Sequence, residues 1–213
     1  MSSAPSESAH PTSLREQKKQ RTRDTLIDAA LRLFQEQGFA ETTLDEVCAS
    51  AEVSKRTFFR YFAGKEDVVL APSHELWLVF LHEVQAAGPE GAPVFKTLQQ
   101  ALLAALDQIA TPQWAERINA ARLLAQASPS ITAQNLKFCD GISGETARAL
   151  RCGLDPAGPE DLRPRLAQDL LVAAFHSAME QWTRHSGPKT CADLRLRVQE
   201  AFVAAAQATT YSA

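Results

Sequence analysis

No stretch of this 213-residue sequence is apolar for long enough to cross a membrane, which would take about 20 consecutive apolar residues. The opening stretch, MSSAPSESAHPTSLREQKK, holds no apolar run followed by a cleavage site. That argues against a secretory signal, and a cytoplasmic location is expected. Cysteine is scarce and scattered: Cys48, Cys139, Cys152 and Cys191 form no Cys-x-x-Cys pair and have no histidine at ligand spacing. Reduced thiols are expected, rather than disulfides or a zinc site. The five histidines are equally dispersed, and G-x-S-x-G, H-E-x-x-H, P-loop and G-x-G-x-x-G motifs are all missing. No catalytic centre, cofactor or metal is therefore expected. A thiol hydrolase built on Cys139 and a distant histidine stays open as an alternative without a motif behind it. Strand signals are thin too, with no sustained alternation and no Asn-Gly hairpin. The expectation is an all-α protein.

What is present is concentrated near the N-terminus. The net charge of −3 hides an uneven distribution. Arg15 to Arg23 holds five cations and one acid; Val53 to Lys65 holds four cations and no acid; residues 66–213 carry twelve cations against sixteen acids. Two short basic segments on an acidic body are the footprint of a local anion-binding surface. Residues 1–20 read as a disordered leader that becomes basic. Leu26, Ile27, Ala30, Leu33 and Phe34 then mark one face of a first helix, with Gly38 as its C-terminal cap. Thr43 and Glu46 form a capping box ahead of a two-turn helix through Leu44, Val47, Cys48 and Ala51. Ser54 is placed to cap a third helix. Two short helices joined by a turn and braced by a longer one make a helix-turn-helix pattern.

The third helix carries four of the fifteen aromatics within Phe58 to Phe62, interleaved with Lys55, Arg56, Arg60 and Lys65. At 3.6 residues per turn, Phe58 and Phe62 share the inward face, and Arg56 and Arg60 share the opposite one. Lys55 and Phe59 lie on one flank, Thr57 and Tyr61 on the other. A solvated basic face would leave Phe59 and Tyr61 without a reason.

The stretch from Thr22 to Val69 resembles the DNA-binding domain of the tetracycline-repressor (TetR) family of bacterial regulators. The matching marks are Phe34, Gly38-Phe39, Thr42-Thr43, the turn from Ala51 to Ser54, Thr57-Phe58-Phe59, Tyr61-Phe62 and Lys65-Glu66. The resemblance implies a homodimer whose third helix lies in the major groove of a palindromic operator. It implies that Lys55, Arg56, Thr57, Phe59, Arg60 and Tyr61 face double-stranded DNA, and that Thr43 and Lys65 hold backbone phosphates. Three positions depart from the family pattern. Phe59 stands where tyrosine is most frequent, Tyr61 where histidine is common, and Glu52 where glycine is usual. If the turn needs a positive φ at Glu52, a non-glycine there costs about 1 kcal/mol.

The expected organisation is thus a leader over 1–20, a DNA-binding domain over 21–68, and a helical effector-binding and dimerisation domain over 69–213. Breakers at Pro72, Gly88 to Pro93, Thr111-Pro112, Ser128 to Ser130, Asp155 to Pro159 and Gly187-Pro188 divide this last part into about five helices. One runs from about Lys65 to Ala86 through Pro72, which removes a backbone donor and predicts a kink. Trp77, Phe80, Leu81, Trp114, Ile118, Leu123, Phe138, Phe175 and Met179 are either plain core or the lining of an apolar cavity, with Asn119, Arg122 or Asn135 as polar anchors. Leu170, Trp182, Val198 and Phe202, on the last two helices (about Asp161–His185 and Asp193–Ala208), are either intramolecular core or a homodimer interface. Similarity of the C-terminal pattern to actinobacterial members that sense acyl-type ligands leans toward such an effector. The reading is a repressor released by a small apolar molecule, with no membrane partner. A fold relative that has given up DNA and serves as a co-regulator is the second reading; the retained Lys55, Arg56, Arg60 and Lys65 argue against it.

Overall fold

A computed structural model describes residues 13–87, 92–153 and 161–208, the side chains of 151–153 apart. Among the described residues there are nine helices and no strand. The chain divides into two compact units, one ending at Lys65 and the next beginning at Glu66. Residues 1–12 of the expected leader, and the breakers at Gly88 to Gly91 and Asp155 to Pro159, lie outside the described residues.

The first unit holds α1 (Leu14–Gln37), α2 (Leu44–Ser50) and α3 (Lys55–Phe58). The expected disordered leader is corrected over residues 14–20, which form the first turns of α1. Ser13 Oγ accepts the Glu16 amide and the Glu16 carboxylate accepts the Ser13 amide, a capping box that starts the helix here, and the Lys, Arg and Gln residues that follow are good helix formers. Gly38 ends α1 as expected, at φ +94° with its N–H on the Phe34 carbonyl. Thr42 is buried, and its hydroxyl donates to the Gly38 carbonyl at 2.8 Å. Leu26, Ile27, Ala30 and Phe34 of α1, Val47 and Cys48 of α2, and Phe58 and Phe62 are all buried, with α1 packed on α2 and α2 on α3.

The third helix is shorter than expected. Its α-helical span ends at Phe58, and the chain then tightens through bonds from the Arg60 amide to Thr57 O (3.2 Å) and the Tyr61 amide to Phe58 O (2.8 Å). These three-residue steps are 3₁₀-like. The Phe62 amide still reaches Phe58 O at 3.0 Å, so both rings point inward. Glu52 has φ +52°, the only described non-glycine residue with a positive value. The left-handed conformation at that turn is therefore held by a residue with a Cβ, as the departure from glycine implied.

The second unit holds α4 (Lys65–Ala86), α5 (Val94–Ile109), α6 (Pro112–Ala127), α7 (Pro129–Gly153), α8 (Arg163–Arg184) and α9 (Cys191–Ala208). α4 continues through Pro72. Thr111 caps α6 by accepting the Trp114 amide, with Pro112 in the first turn, where its missing N–H is harmless. α8 packs along α9 and against α5 and α7. The turn between α8 and α9 is tied by Trp182 Nε1 donating to Thr190 O (3.1 Å) and by Lys189 donating to the Trp182 and His185 carbonyls.

Candidate nucleic-acid interface and effector pocket

Side-chain chemistry divides the segment from Lys55 to Lys65. Phe58 is fully buried and Phe62 nearly so, with centroids 5.7 Å apart. The Arg23 guanidinium lies over the Phe62 ring at 5.5 Å. Phe59 is 56% exposed, its edge against Phe58 at 5.5 Å. Lys55, Arg56 and Arg60 are exposed beside it; Thr57 and Tyr61 are half-buried. Arg60 lies over the Tyr61 ring at 5.1 Å, and its Nη2 is 3.4 Å from the phenol oxygen. This stack holds a guanidinium and a hydroxyl side by side on the surface. Ser54 Oγ accepts the Thr57 amide at 3.1 Å and starts the helix. An exposed aromatic flanked by three cations, on a segment pinned by two buried rings, is a surface able to meet phosphates and base edges.

Three expected contact residues are already engaged within the unit. Lys55 Nζ pairs with Asp45 Oδ1 at 2.8 Å, and that hydrogen bond raises the lysine's affinity for its proton. The Thr43 hydroxyl donates to Glu46 Oε2 (2.7 Å) and accepts the Glu46 amide (3.2 Å). This box holds the Glu46 carboxyl below its ordinary value, the Thr43 hydroxyl contributing most and the Thr43 amide next. Lys65 Nζ donates to the carbonyls of Phe39 (2.8 Å) and Thr42 (2.7 Å) and lies 4.8 Å from the Phe39 ring centroid. Two of its three protons thus close the loop between α1 and α2, leaving one for any phosphate.

In the second unit the structure separates the expected ligand residues. Phe80, Trp114, Ile118, Phe175 and Met179 are buried in the core, and Leu81 packs partly buried against it. Trp114 Nε1 donates to Pro72 O at 3.0 Å, which satisfies its buried indole N–H from within. The structure places these six in the core, one of the two readings open from the sequence. Asn119 and Arg122 stand on α6, with Asn119 Oδ1 and Arg122 Nε buried and unpartnered. Of the expected residues, Trp77, Phe138 and Asn135 line the pocket of about 210 Å³ between α4, α7 and α8. Its walls include Ser73 of α4, Asn135, Ile142 and Ser143 of α7, and Gln168, Val172 and His176 of α8. Exposed Cys139, Asp140, Arg165 and Asp169 form the rim, the last two as an ion pair at 3.0 Å. His74 braces one wall. Its ring stacks on Phe138 at 3.7 Å, its Nε2 is 3.2 Å from Asn135 Oδ1, and Asp67 lies 4.0 Å from its other nitrogen. His176 is exposed on α8, and desolvation of its ring by its neighbours first, then the Arg122 guanidinium, push it below the ordinary imidazole value. Partial desolvation at the pocket rim, and then the Asp140 charge, push the Cys139 thiol up, away from the thiolate a nucleophile needs.

The expected interface residues also move. Trp182, Val198 and Phe202 are buried in the unit's own core, and Leu170 packs partly buried against it. Trp182, Val198 and Phe202 thus take the core reading of the two that the sequence leaves open. The large exposed apolar residues on the same two helices are Leu162, at the N-cap of α8, Leu166, Leu196 and Val203.

Sequence comparison bears on this arrangement. Residues 26–71 match the family described as "Bacterial regulatory proteins, tetR family". The HTH-type transcriptional regulator TcmR of Streptomyces glaucescens is 32% identical over 176 residues, 79% of this chain and 76% of TcmR. Among solved structures, the fatty acid degradation regulator FadR from Bacillus halodurans superimposes with a TM-score of 0.55 at 18% identity, covering 86% of this chain and 94% of FadR. SmeT, the repressor of the Stenotrophomonas maltophilia multidrug efflux pump SmeDEF, gives 0.54 at 20% identity over 89% of this chain and 91% of SmeT. At these identities the structural likeness shows a shared fold.

Proposed function

The chain belongs to the TetR family of bacterial transcriptional regulators, and from that premise we propose a ligand-responsive repressor that occupies a palindromic operator as a homodimer. The observation that carries this reading is the division of the aromatics. Phe58 and Phe62 anchor the segment, while Phe59 stays exposed among Lys55, Arg56 and Arg60. Water gives no reason for that exposed ring. A major groove does, since cations meet phosphates and guanine edges and an apolar ring meets a thymine methyl.

We assign residues 21–68 to operator binding, with Lys55, Arg56, Thr57, Phe59, Arg60 and Tyr61 toward the groove and Thr43 and Lys65 toward the backbone. Residues 69–213 take the effector and the second subunit. The exposed Leu166 on α8 and Leu196 and Val203, seven residues apart on one face of α9, are the apolar side chains free to meet a partner chain. The chemistry is recognition rather than catalysis. The effector is a small molecule with a largely apolar body, and α4, which begins at Lys65, is the covalent route from its site to the reader. Such a molecule releases DNA only by binding the operator-free state better than the operator-bound one.

Selection of bound sequences from a random duplex pool by the full-length chain tests this. The expected product is an inverted repeat with half-sites about 34–36 Å apart, or a multiple of that, carrying two chains per repeat. Enrichment of no sequence, or of a lone half-site carrying one chain, would remove the reading.

A further inference from the structure

α8 turns Pro164, Leu171, Phe175, Ala178 and Trp182 to the interior, and Gln168 stands on that same face, 1% exposed. Its Nε2 donates to Ser143 Oγ at 3.2 Å, while its carbonyl Oε1 is buried without a partner. A buried amide oxygen with no donor is unfavourable, and a leucine would fill the position without that penalty. Gln168 and Ser143 both border the 210 Å³ pocket.

We infer that this pocket binds a compact, ring-sized molecule whose hydroxyl or amine donates to Gln168 Oε1 while its apolar body lies against Trp77, Phe138, Ile142 and Val172. The size follows from the volume, since an apolar cavity of about 150 Å³ accommodates benzene. The observed pocket takes a mono- or bicyclic molecule, a narrower class than the acyl-type effector toward which the sequence leans. The carbonyl sets the polarity, because it can only accept, and so selects a donor. The inference rests on reading residues 69–213 as an effector domain and goes further, giving the effector a size, a polar group and a seat.

Isothermal titration calorimetry on the full-length chain without DNA tests it, with 2-naphthol as the donor-bearing probe and 2-methoxynaphthalene as its counterpart lacking the donor. 2-Naphthol should bind saturably, one per chain, and 2-methoxynaphthalene roughly tenfold more weakly, the worth of one well-made hydrogen bond. Gln168→Leu should erase the difference between probes. Gln168→Glu should keep it, since a carboxyl group still accepts and the Ser143 hydroxyl can turn to donate to it. If the leucine variant fails to fold, the glutamate variant and the probe pair decide. Equal binding of both probes by the parent would show that the oxygen is served by water and overturn the inference. So would no saturable 2-naphthol binding, or a probe difference that survives Gln168→Leu. With no DNA in the cell, any of these failures leaves the operator reading standing. A chain that follows the expected probe pattern yet selects no DNA would lose the operator reading and keep the pocket.

Discussion

Replacing Phe62 with alanine empties the ring that closes the third helix onto the first. The ring is 3% exposed, with Phe58 packed at 5.7 Å and the Arg23 guanidinium over its face at 5.5 Å. Removing a buried ring and leaving a cavity costs about 3–5 kcal/mol, and the lost cation–π contact adds about 0.5 kcal/mol. Phe59 is more than half exposed and has an edge-to-face contact with Phe58, interplanar angle 85°. Such a pair is worth about 0.5–1.5 kcal/mol, so Phe59→Ala should cost roughly 1 kcal/mol. Whole domains have only about 5–15 kcal/mol to lose, so the first change removes a large share of stability and the second a small one. Hydrogen exchange on peptides covering residues 44–62 reads the first unit apart from the rest of the chain. Protection there should fall by roughly a hundred- to a thousandfold or more in Phe62→Ala, and by less than about tenfold in Phe59→Ala. Comparable losses in the two variants would refute the helical phase that sends one ring inward and the other out.

Glu52→Gly should raise stability by about 0.5–1 kcal/mol, the left-handed penalty of about 1–2 kcal/mol less the entropy that glycine adds to the unfolded chain; a lowered urea midpoint would contradict this. Thr43→Ala removes the α2 cap and should cost about 1 kcal/mol at neutral pH. Because the folded Glu46 value is depressed, its stabilisation is complete above the ordinary glutamate value of 4.5 and is lost as pH falls below that. The gap between variant and parent should therefore narrow in acid melts, and a gap independent of pH would contradict the box. Asp45→Asn frees Lys55 from its 2.8 Å partner. Affinity for unrelated duplex should rise, and the slope of log affinity against log salt should steepen by up to about 0.9; an unchanged slope would show that Lys55 meets no phosphate.

Local chemistry was the legible part of the sequence. Gly38, Thr43 with Glu46, and Ser54 mark helix ends because each cap is made within a few residues. The same kind of signal stands at Ser13 and Glu16 beside the small-residue leader, and α1 starts there, earlier than expected. The inward placement of Phe58 and Phe62 followed from their spacing of four, although the segment tightens after Phe58. Long-range placement was not legible. Trp114 and Trp182 look alike as candidates for a cavity or an interface, and what fixes them is a carbonyl many residues or a turn away, Pro72 for one and Thr190 for the other. Gln168 left a trace: a polar residue three before Leu171 and seven before Phe175, on a face otherwise apolar. Recognising it as a pocket wall required α7, because Ser143 holds its nitrogen and nothing holds its oxygen.

On this reading, the exposed face that carries Phe59 and Arg60 reads DNA sequence. Arg60→Ala, compared with the parent chain on a selected operator and on a scrambled duplex at one salt concentration, tests it most directly. Arg60 is exposed and contributes no core contact, so folding should be unaffected. If it reads a base edge, operator affinity should fall by about 1–3 kcal/mol while affinity for the scrambled duplex changes little. Equal losses on both duplexes would move Arg60 to the phosphate backbone, and unchanged affinity for both would contradict the claim that this face meets DNA at all.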